Sequence, residues 1–562
     1  MQSVKVSEVI IIFFAALAVY GFTLSRSIGT THDSIEYINS IDAITARMLH
    51  QENQHVNSHA IKDWEMEVFH PHHLLYNPAA AGWVVLLRLS GITLDSVILV
   101  AFLNAIFGAA GVSVFYLLLR NRMQGSVFES AAGSLLVLAC FGYWFHSVVI
   151  EVYIIPVFFL LLALYFLTHP KPNVKTFLAV GFFHGAAILF HQIHVLFFLP
   201  VLGIVLLQHR SRNITFLKSI AGYSAAIIPV VGIPYLYVVF GFLNFSSIQD
   251  IQYWTTRYAS EGSAWSPFAL TTFAKAAFGF CRSIVGGNFA FAIPEVQSLM
   301  KRLFADNNME DEIYLVRHIN IGFAYFLGFI TITVFAWLFY LVFKNRKTIG
   351  TFRLKFTPVA LAAFLWFLPY AAFFCFWVPQ SPEFWFPQLL CVWIGLFGIS
   401  VAAADTERRR NTLQILSIGL LLLFINYFGS MRFISSQEND YYYSKTYPVA
   451  KTLPSNSLFI TGRSWIVEAY YERFSSDVQI IGLQKIYIEE KRDAGKLLLK
   501  TRNTIAEATA QGCAIYINYD AINPGKDVMD DPAHQQLLKD FWRSYTFECN
   551  DIGDTKICRI VK

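Results

Sequence analysis

Charge is what this chain has least of. Asp, Glu, Lys and Arg together make up 14% of its 562 residues, where a soluble domain carries about 25%, and that deficit excludes an ordinary water-soluble globule. Paired cysteines are missing too: none of the seven forms a Cys-x-x-Cys unit, so no metal ribbon is encoded. Four of them, Cys140, Cys281, Cys375 and Cys391, lie in or beside apolar segments, where small buried thiols are ordinary. The first outer loop lacks a His-Glu-x-x-His frame, and the tail after about residue 430 has no Gly-rich phosphate loop and no nucleophile elbow, so the tail does not read as a second active site. No internal repeat is apparent, which weighs against a transporter built from inverted halves. The net charge of +5 is spread over short basic clusters between apolar runs, so it has no nucleic-acid footprint.

What is present is apolar: 55% hydrophobic and 16% aromatic residues, with a mean hydropathy of +0.48, the composition of a polytopic helical membrane protein. Runs long enough to cross a bilayer fall near 6–25, 95–119, 128–149, 152–168, 176–191, 194–208, 219–242, 319–343, 356–378, 385–403 and 412–429, about eleven spans. The first, behind Lys5, reads as an uncleaved signal anchor because no small-x-small cleavage site follows it. If every run crosses, Lys5, Arg120, Arg122, Lys171, Lys175, Arg210, Arg212, Lys344, Lys347 and Arg408–Arg410 share one side, which is then the cytoplasm. The loop 26–94, the turns at Glu151, His191–His194 and Pro379–Trp385, the segment 243–317 and the tail lie outside. The expected setting is a bacterial inner membrane. Pro78–Leu89 and Phe268–Ile293 are apolar but short or interrupted, and read as helices lying in the outer interface.

From about residue 431 the pattern changes to strand-length apolar runs, giving two expected domains, 1–430 in the membrane and 431–562 outside it. Ser457–Thr461, Val478–Ile481 and Cys513–Ile517 read as strands, Trp465–Phe474 and Asp493–Ala510 as helices, an alternation that predicts a small α/β domain with a parallel sheet. Asn550-Asp551-Ile552-Gly553-Asp554 reads as a hairpin turn that sets Cys549 opposite Cys558, either as a disulfide in an oxidising compartment or as two thiols.

The residues that can carry chemistry gather in the polar stretches. Asp33 and Glu36 open a run in which Ile35, Ile38, Ile41, Ile44 and Met48 recur at helical spacing, predicting an amphipathic helix on the membrane surface. The pair reads equally as a capping box or as catalytic carboxylates, of which one beside an apolar cavity can serve as general base. His70, His72 and His73 flank Pro71 where the chain returns to the membrane; adjacent imidazoles do not easily face one ion, so they read as hydrogen-bond donors to substrate and not as metal ligands. Glu151, between Ile150 and Val152, is costly in an apolar turn unless it faces a cavity, and Tyr153 follows it. Glu383 reads either as a substrate contact or as an exposed turn residue. His191 and His194, with Arg257 and Arg282 of the outer segment, could bind a lipid phosphate, snorkelling to headgroups being the bland alternative for the arginines. No cofactor is expected.

His32-Asp33-Ser34, Phe69-His70-Pro71 and Glu151-x-Tyr153, set in this topology over about residues 1–430, resemble the GT-C superfamily of lipid-dependent glycosyltransferases, closest in outline to its protein O-mannosyltransferase-like branch. The double acid Asp-Glu that opens the loop in the eukaryotic-type mannosyltransferases is absent here. The resemblance implies an inverting, metal-independent transfer of a sugar from a polyprenyl-phosphate donor to an acceptor hydroxyl on a protein, glycan or lipid of the cell envelope. It implies Asp33 as general base, His70 or His72 with Glu151 as orienting groups, and His191 with an arginine such as Arg257 or Arg282 at the lipid phosphate. A transporter or flippase for a lipid-linked or small anionic solute, and a non-catalytic assembly or sensor protein, are the competing classes.

Overall fold

The computed structural model describes residues 4–29, 31–50, 68–208, 214–260, 265–303, 309–463, 465–475, 477–526 and 528–561. The chain forms two compact units: Met1–Arg26 with Asp63–Ser435, and Ser27–Lys62 with Ser436–Lys562. The first half of the outer loop, expected to belong with the membrane helices, is therefore part of the carboxy-terminal unit.

The first unit is helical. Among the described residues five helices are long and apolar enough to cross a membrane, Ser96–Arg122, Ile214–Phe242, Ile321–Lys344, Thr357–Phe374 and Asp405–Ile434. A bent pair, Val127–Ala139 and Phe141–Val148, adds a sixth, and five shorter apolar helices cover Val6–Phe22, Ile154–Leu167, Val174–Phe190, Gln192–Leu207 and Phe386–Val401. These coincide with the apolar runs of the sequence. Tyr76–Leu89 and Leu270–Ile284 are the helices expected to be interfacial.

Ser96–Arg122 is the hub: 72% of its most apolar window is buried, against 11% for Ile214–Phe242. Small residues let its neighbours approach. A Cβ on Gly111 would stand 2.1 Å from the Tyr143 hydroxyl, and that hydroxyl donates to the Gly108 carbonyl at 2.9 Å. The close seat holds Phe141–Val148, which turns by 66° from the helix before it. The basic end groups also work as ties. Arg408 donates to both carboxylate oxygens of Glu129 at 2.5 and 2.6 Å, a bidentate pairing that Arg geometry favours. Glu129 also closes a capping box with Ser126 at the start of its own helix. Glu8 accepts from Tyr116 at 2.6 Å and from Arg120 at 3.4 Å, fastening Val6–Phe22 to the hub.

The second unit is α/β. Strands β1 (Ser457–Thr461), β2 (Val478–Gly482), β3 (Ala514–Asn518), β4 (Phe547–Ile552) and β5 (Thr555–Ile560) form one sheet in the order β2-β1-β3-β5-β4. The first three are parallel, as expected, and β5 and β4 extend the sheet antiparallel. Cys549 lies opposite Cys558 across the hairpin and the two form a disulfide. Helices Trp465–Phe474 and Ala494–Ala510 match their expected ranges.

Loop residues complete this unit. Buried Asp440 accepts hydrogen bonds from the Ser27 hydroxyl at 2.9 Å, the Gly29 amide at 3.0 Å, the Tyr470 hydroxyl at 2.6 Å and the Tyr443 amide at 2.9 Å. Gly29 has no room for a side chain: a Cβ there would lie 2.4 Å from the Tyr470 hydroxyl and 2.6 Å from Asp440 Oδ1. Farther on, Arg473 pairs with Asp42 at 2.9 Å. Helix Ser34–Met48 packs against Trp465–Phe474, and Ile35, Ile38, Ile41 and Ile44 are buried in protein. The expectation that this apolar face lies on the membrane surface is thus corrected: protein, not lipid, covers it.

Candidate active site

The return of the outer loop to the helices is built by backbone ties. The Gln192 amide donates to the His72 carbonyl at 2.7 Å and the Leu75 amide to the Leu189 carbonyl at 3.0 Å, while the Tyr235 hydroxyl donates to the Pro71 carbonyl at 2.6 Å. Phe69 and Leu75 pack on a cluster of Leu74, Leu189, Val238, Val239 and Trp254. Residues 70–75 are thereby fixed beside the end of helix Val174–Phe190, and the two histidine groups seen in the sequence meet.

His70 and His73 stack face to face, ring centroids 4.1 Å apart and planes 8° from parallel, with His72 edge-on to His70 at 5.1 Å. Burial pushes the pKa of His72 down, and that of His73 much further, with the nearby His191 and His72 adding to the effect on His73. Both shifts favour the neutral form of the ring. His191 stacks on Tyr153 at 5.3 Å and lies edge-on to His194 at 5.8 Å. His194 is turned away into the helices, its Nδ1 at 3.1 Å from the Tyr370 hydroxyl.

Glu151 is buried, and its turn is held by a residue the sequence did not single out. Asn104 Nδ2, on the hub helix, lies 2.8 Å from the Val149 carbonyl, 2.9 Å from the Glu151 carbonyl and 3.2 Å from the Tyr76 hydroxyl. A lone asparagine inside a run such as Phe102-Leu103-Asn104-Ala105 is costly without partners, and that cost was the available signal. Phe384 also meets Tyr153 edge-on at 5.8 Å, in the 3-10 turn Pro382–Phe384 that carries the half-buried Glu383. Thus His70, His72, His73, Glu151, Tyr153, His191, His194 and Glu383 fall on segments of the first unit, and the stacking contacts link Tyr153 with His191 and His194.

Arg282 is differently employed. It donates to Glu312 at 2.9 Å and to the Gly286 carbonyl at 3.1 Å, and Asn288 holds the other Glu312 oxygen at 2.6 Å. The guanidinium expected to be available for a phosphate is engaged in clamping its own segment. Arg257 lies on helix Ile248–Ser260, and its side chain is outside the described residues.

Asp33 and Glu36 belong to the second unit. Asp33 occupies the N-cap position of helix Ser34–Met48, but its side chain makes no cap hydrogen bond, so the capping box that competed with a catalytic role is not formed. Thr31 and Ser34 pair through their hydroxyls instead. Asp33 is exposed, yet the surrounding protein raises its pKa above the usual carboxylate value, with His32 opposing the rise. Lys485 is near enough to Glu36, and to Glu468, Glu472 and Glu489, for their charges to raise its pKa against desolvation.

No family model matches the chain, and no curated protein does. Solved structures do. ArnT from Cupriavidus metallidurans bound to undecaprenyl phosphate superposes with a TM-score of 0.56 at 11% identity, covering 99% of this chain and 98% of that one. The same protein in the apo state gives 0.51 at 11% identity, over 98% and 97%. The oligosaccharyltransferase of Archaeoglobus fulgidus in its apo form gives 0.47 at 10% identity, over 97% and 73%. The chain thus shares the fold of ArnT over nearly the whole length of both proteins.

Proposed function

We propose that this protein is a membrane glycosyltransferase that moves a sugar from a polyprenyl-phosphate donor to an acceptor hydroxyl, with inversion, on the non-cytoplasmic face of the membrane. The observation that carries the proposal is the cluster His70, His72, His73, Tyr153 and His191 in a full-length fold shared with a protein crystallised with undecaprenyl phosphate. Neutral imidazoles and a buried carboxylate turn suit an anionic, hydroxyl-rich ligand; a protein–nucleic acid interface needs cations instead. Sidedness is supported by the basic clusters, which share one side if the apolar helices cross in turn.

In the reaction the acceptor oxygen attacks the anomeric carbon, the bond from that carbon to the phosphate oxygen breaks, and polyprenyl phosphate leaves. Asp33 takes the acceptor proton. Its raised pKa makes it a stronger base than an ordinary carboxylate, and its side chain is not tied to the helix start. Glu36 supports the charge balance at the same helix end. His70, His72 and His73 donate hydrogen bonds to the donor, Glu151, Tyr153 and Glu383 orient it, and His191 with Arg257 holds the lipid phosphate, while His194, turned into the helices, packs edge-on behind His191. Developing charge on that phosphate is stabilised by fixed donors, the usual source of such rate enhancement. The acceptor is an envelope protein, glycan or lipid.

The test is transfer of label from a polyprenyl-phosphate sugar to envelope acceptors by the purified protein. Asp33→Asn should stop turnover and leave donor binding intact; loss of solute uptake without any transfer reaction would point to the transporter class instead.

A further inference from the structure

Among the described residues, two buried imidazoles near this site have no role above: His184, whose ring nitrogens both have partners at 2.8 Å, the Tyr223 hydroxyl and the His194 carbonyl, and His146. It sits near the end of the short helix Phe141–Val148, at 1% exposure. Neither ring nitrogen has a hydrogen-bond partner among the described residues. Its surroundings are aromatic: Phe386 stacks on it at 5.0 Å, Phe145 lies edge-on at 5.0 Å, and Tyr153 lies edge-on at 5.2 Å. Tyr153 is the ring that also stacks on His191.

A buried imidazole with both nitrogens unmatched opposes folding, since each lost partner costs the desolvation of that group. A phenylalanine would fill the same space without that cost. The position is thus poorly explained by packing and well explained by a ligand that supplies the missing partners. A neutral imidazole offers one donor and one acceptor. A phosphate oxygen only accepts and would satisfy one nitrogen; a hydroxyl both donates and accepts. Aromatic faces beside the ring suit the C–H faces of a pyranose better than a charged group.

We infer that His146 is a specificity-determining residue that recognises a hydroxyl of the sugar carried by the donor, with Tyr153 turning aside to admit it. This rests on the transferase reading above. Tyr153 then links two subsites, the sugar at His146 and the phosphate side at His191.

The experiment compares wild type, His146→Phe and His146→Asn in detergent, by thermal unfolding and by binding of two lipids, a polyprenyl-phosphate sugar and the same polyprenyl phosphate without sugar. The inference predicts that His146→Phe melts at the wild-type temperature or above it and binds the sugarless lipid as well as wild type. It should lose roughly tenfold or more in affinity for the sugar-bearing lipid, the scale of one buried hydrogen bond left unmade. His146→Asn, which keeps a donor and an acceptor, should recover part of that loss. A lower melting temperature for His146→Phe would show a structural role and overturn the inference. So would an equal loss for both lipids, or no loss for either. If wild type binds neither lipid, the transferase reading itself falls, and that is visible without any variant.

Discussion

Replacing Asp440 tests how the loop that begins at Ser27 is held. Its Oδ2 accepts from the Ser27 hydroxyl, the Gly29 amide and the Tyr470 hydroxyl, and its Oδ1 from the Tyr443 amide. Burial raises its pKa even against these four bonds, so the partners offset only part of the cost of burying the carboxylate. In Asp440→Asn one oxygen becomes an NH2 that cannot accept. With oxygen kept on the three-bond side, the Tyr443 amide at the start of helix Tyr441–Ala450 is left facing a donor. Losing one hydrogen bond to a charged group and exposing its partner costs about 2 to 3 kcal/mol. Asp440→Ala strands all four donors and should cost about 4 kcal/mol or more. The measurement is thermal and denaturant unfolding of the full chain in detergent, with protease sensitivity of residues 27–48 as a local readout. The expected order is wild type, then Asn, then Ala, with the loop cleaved faster in both variants while its attachment weakens. An Asp440→Asn protein as stable as wild type, with the loop equally protected, would refute the reasoning.

Three further outcomes follow from the same structure. Asn104→Ala removes the amide that holds the Glu151 turn and leaves the Val149 and Glu151 carbonyls without it; unfolding measurements should show a loss of about 1 to 3 kcal/mol, and donor affinity should fall too. Glu468 is buried with its Oε2 lacking a hydrogen-bond donor among the described residues, and burial lifts its pKa to about 7, with Lys485 opposing the rise. A raised folded pKa means stability that is present below the unfolded value of 4.5 and lost as pH climbs through 7. Glu468→Gln should therefore flatten the pH dependence between 4.5 and 7 and be the more stable protein at pH 8, by up to about 3 kcal/mol; a parallel pair of pH–stability curves would contradict this. Reducing the Cys549–Cys558 disulfide, which closes a loop of sequence separation 9, should destabilise the second unit by about 2 kcal/mol, read as a shift in its unfolding midpoint.

Much of the helical unit was legible because a span is a local property: length and apolarity fix it without reference to neighbours. The helices at Ser96–Arg122 and Ile321–Lys344 lie within a few residues of the runs read from the sequence. The tail was legible for a related reason, since strand-length runs alternate there with helical ones, and Gly553 with its flanking Asn and Asp residues marks the hairpin that joins the two cysteines. What composition could not reveal is non-local. Ser27 and Asp440 are 413 positions apart, so nothing near either one announces that the loop belongs to the carboxy-terminal unit. The isoleucine stripe of Ser34–Met48 looks the same whether lipid or protein covers it. Arg282 looked available because its partner Glu312 lies 30 residues away. The capping box was a fair reading of Asp33-x-x-Glu36, but the Asp33 side chain makes no cap hydrogen bond. The break at Cys140, which turns Phe141–Val148 by 66°, has no proline or glycine pair to mark it and follows from the seat that Gly108 and Gly111 provide.

The central claim, transfer of a sugar from a polyprenyl phosphate with Asp33 as base, is tested most directly by one assay on two proteins. Wild type and Asp33→Asn are loaded with a polyprenyl-phosphate sugar labelled in the sugar, mixed with envelope acceptors, and followed for labelled acceptor and freed polyprenyl phosphate. Wild type should form both in equal amounts with an inverted anomeric bond, and Asp33→Asn should bind the donor equally well and turn over slower by about 10²- to 10⁴-fold, the usual worth of a general base. A wild-type protein that leaves the donor intact with every acceptor offered, or an Asp33→Asn variant as fast as wild type, would contradict the account.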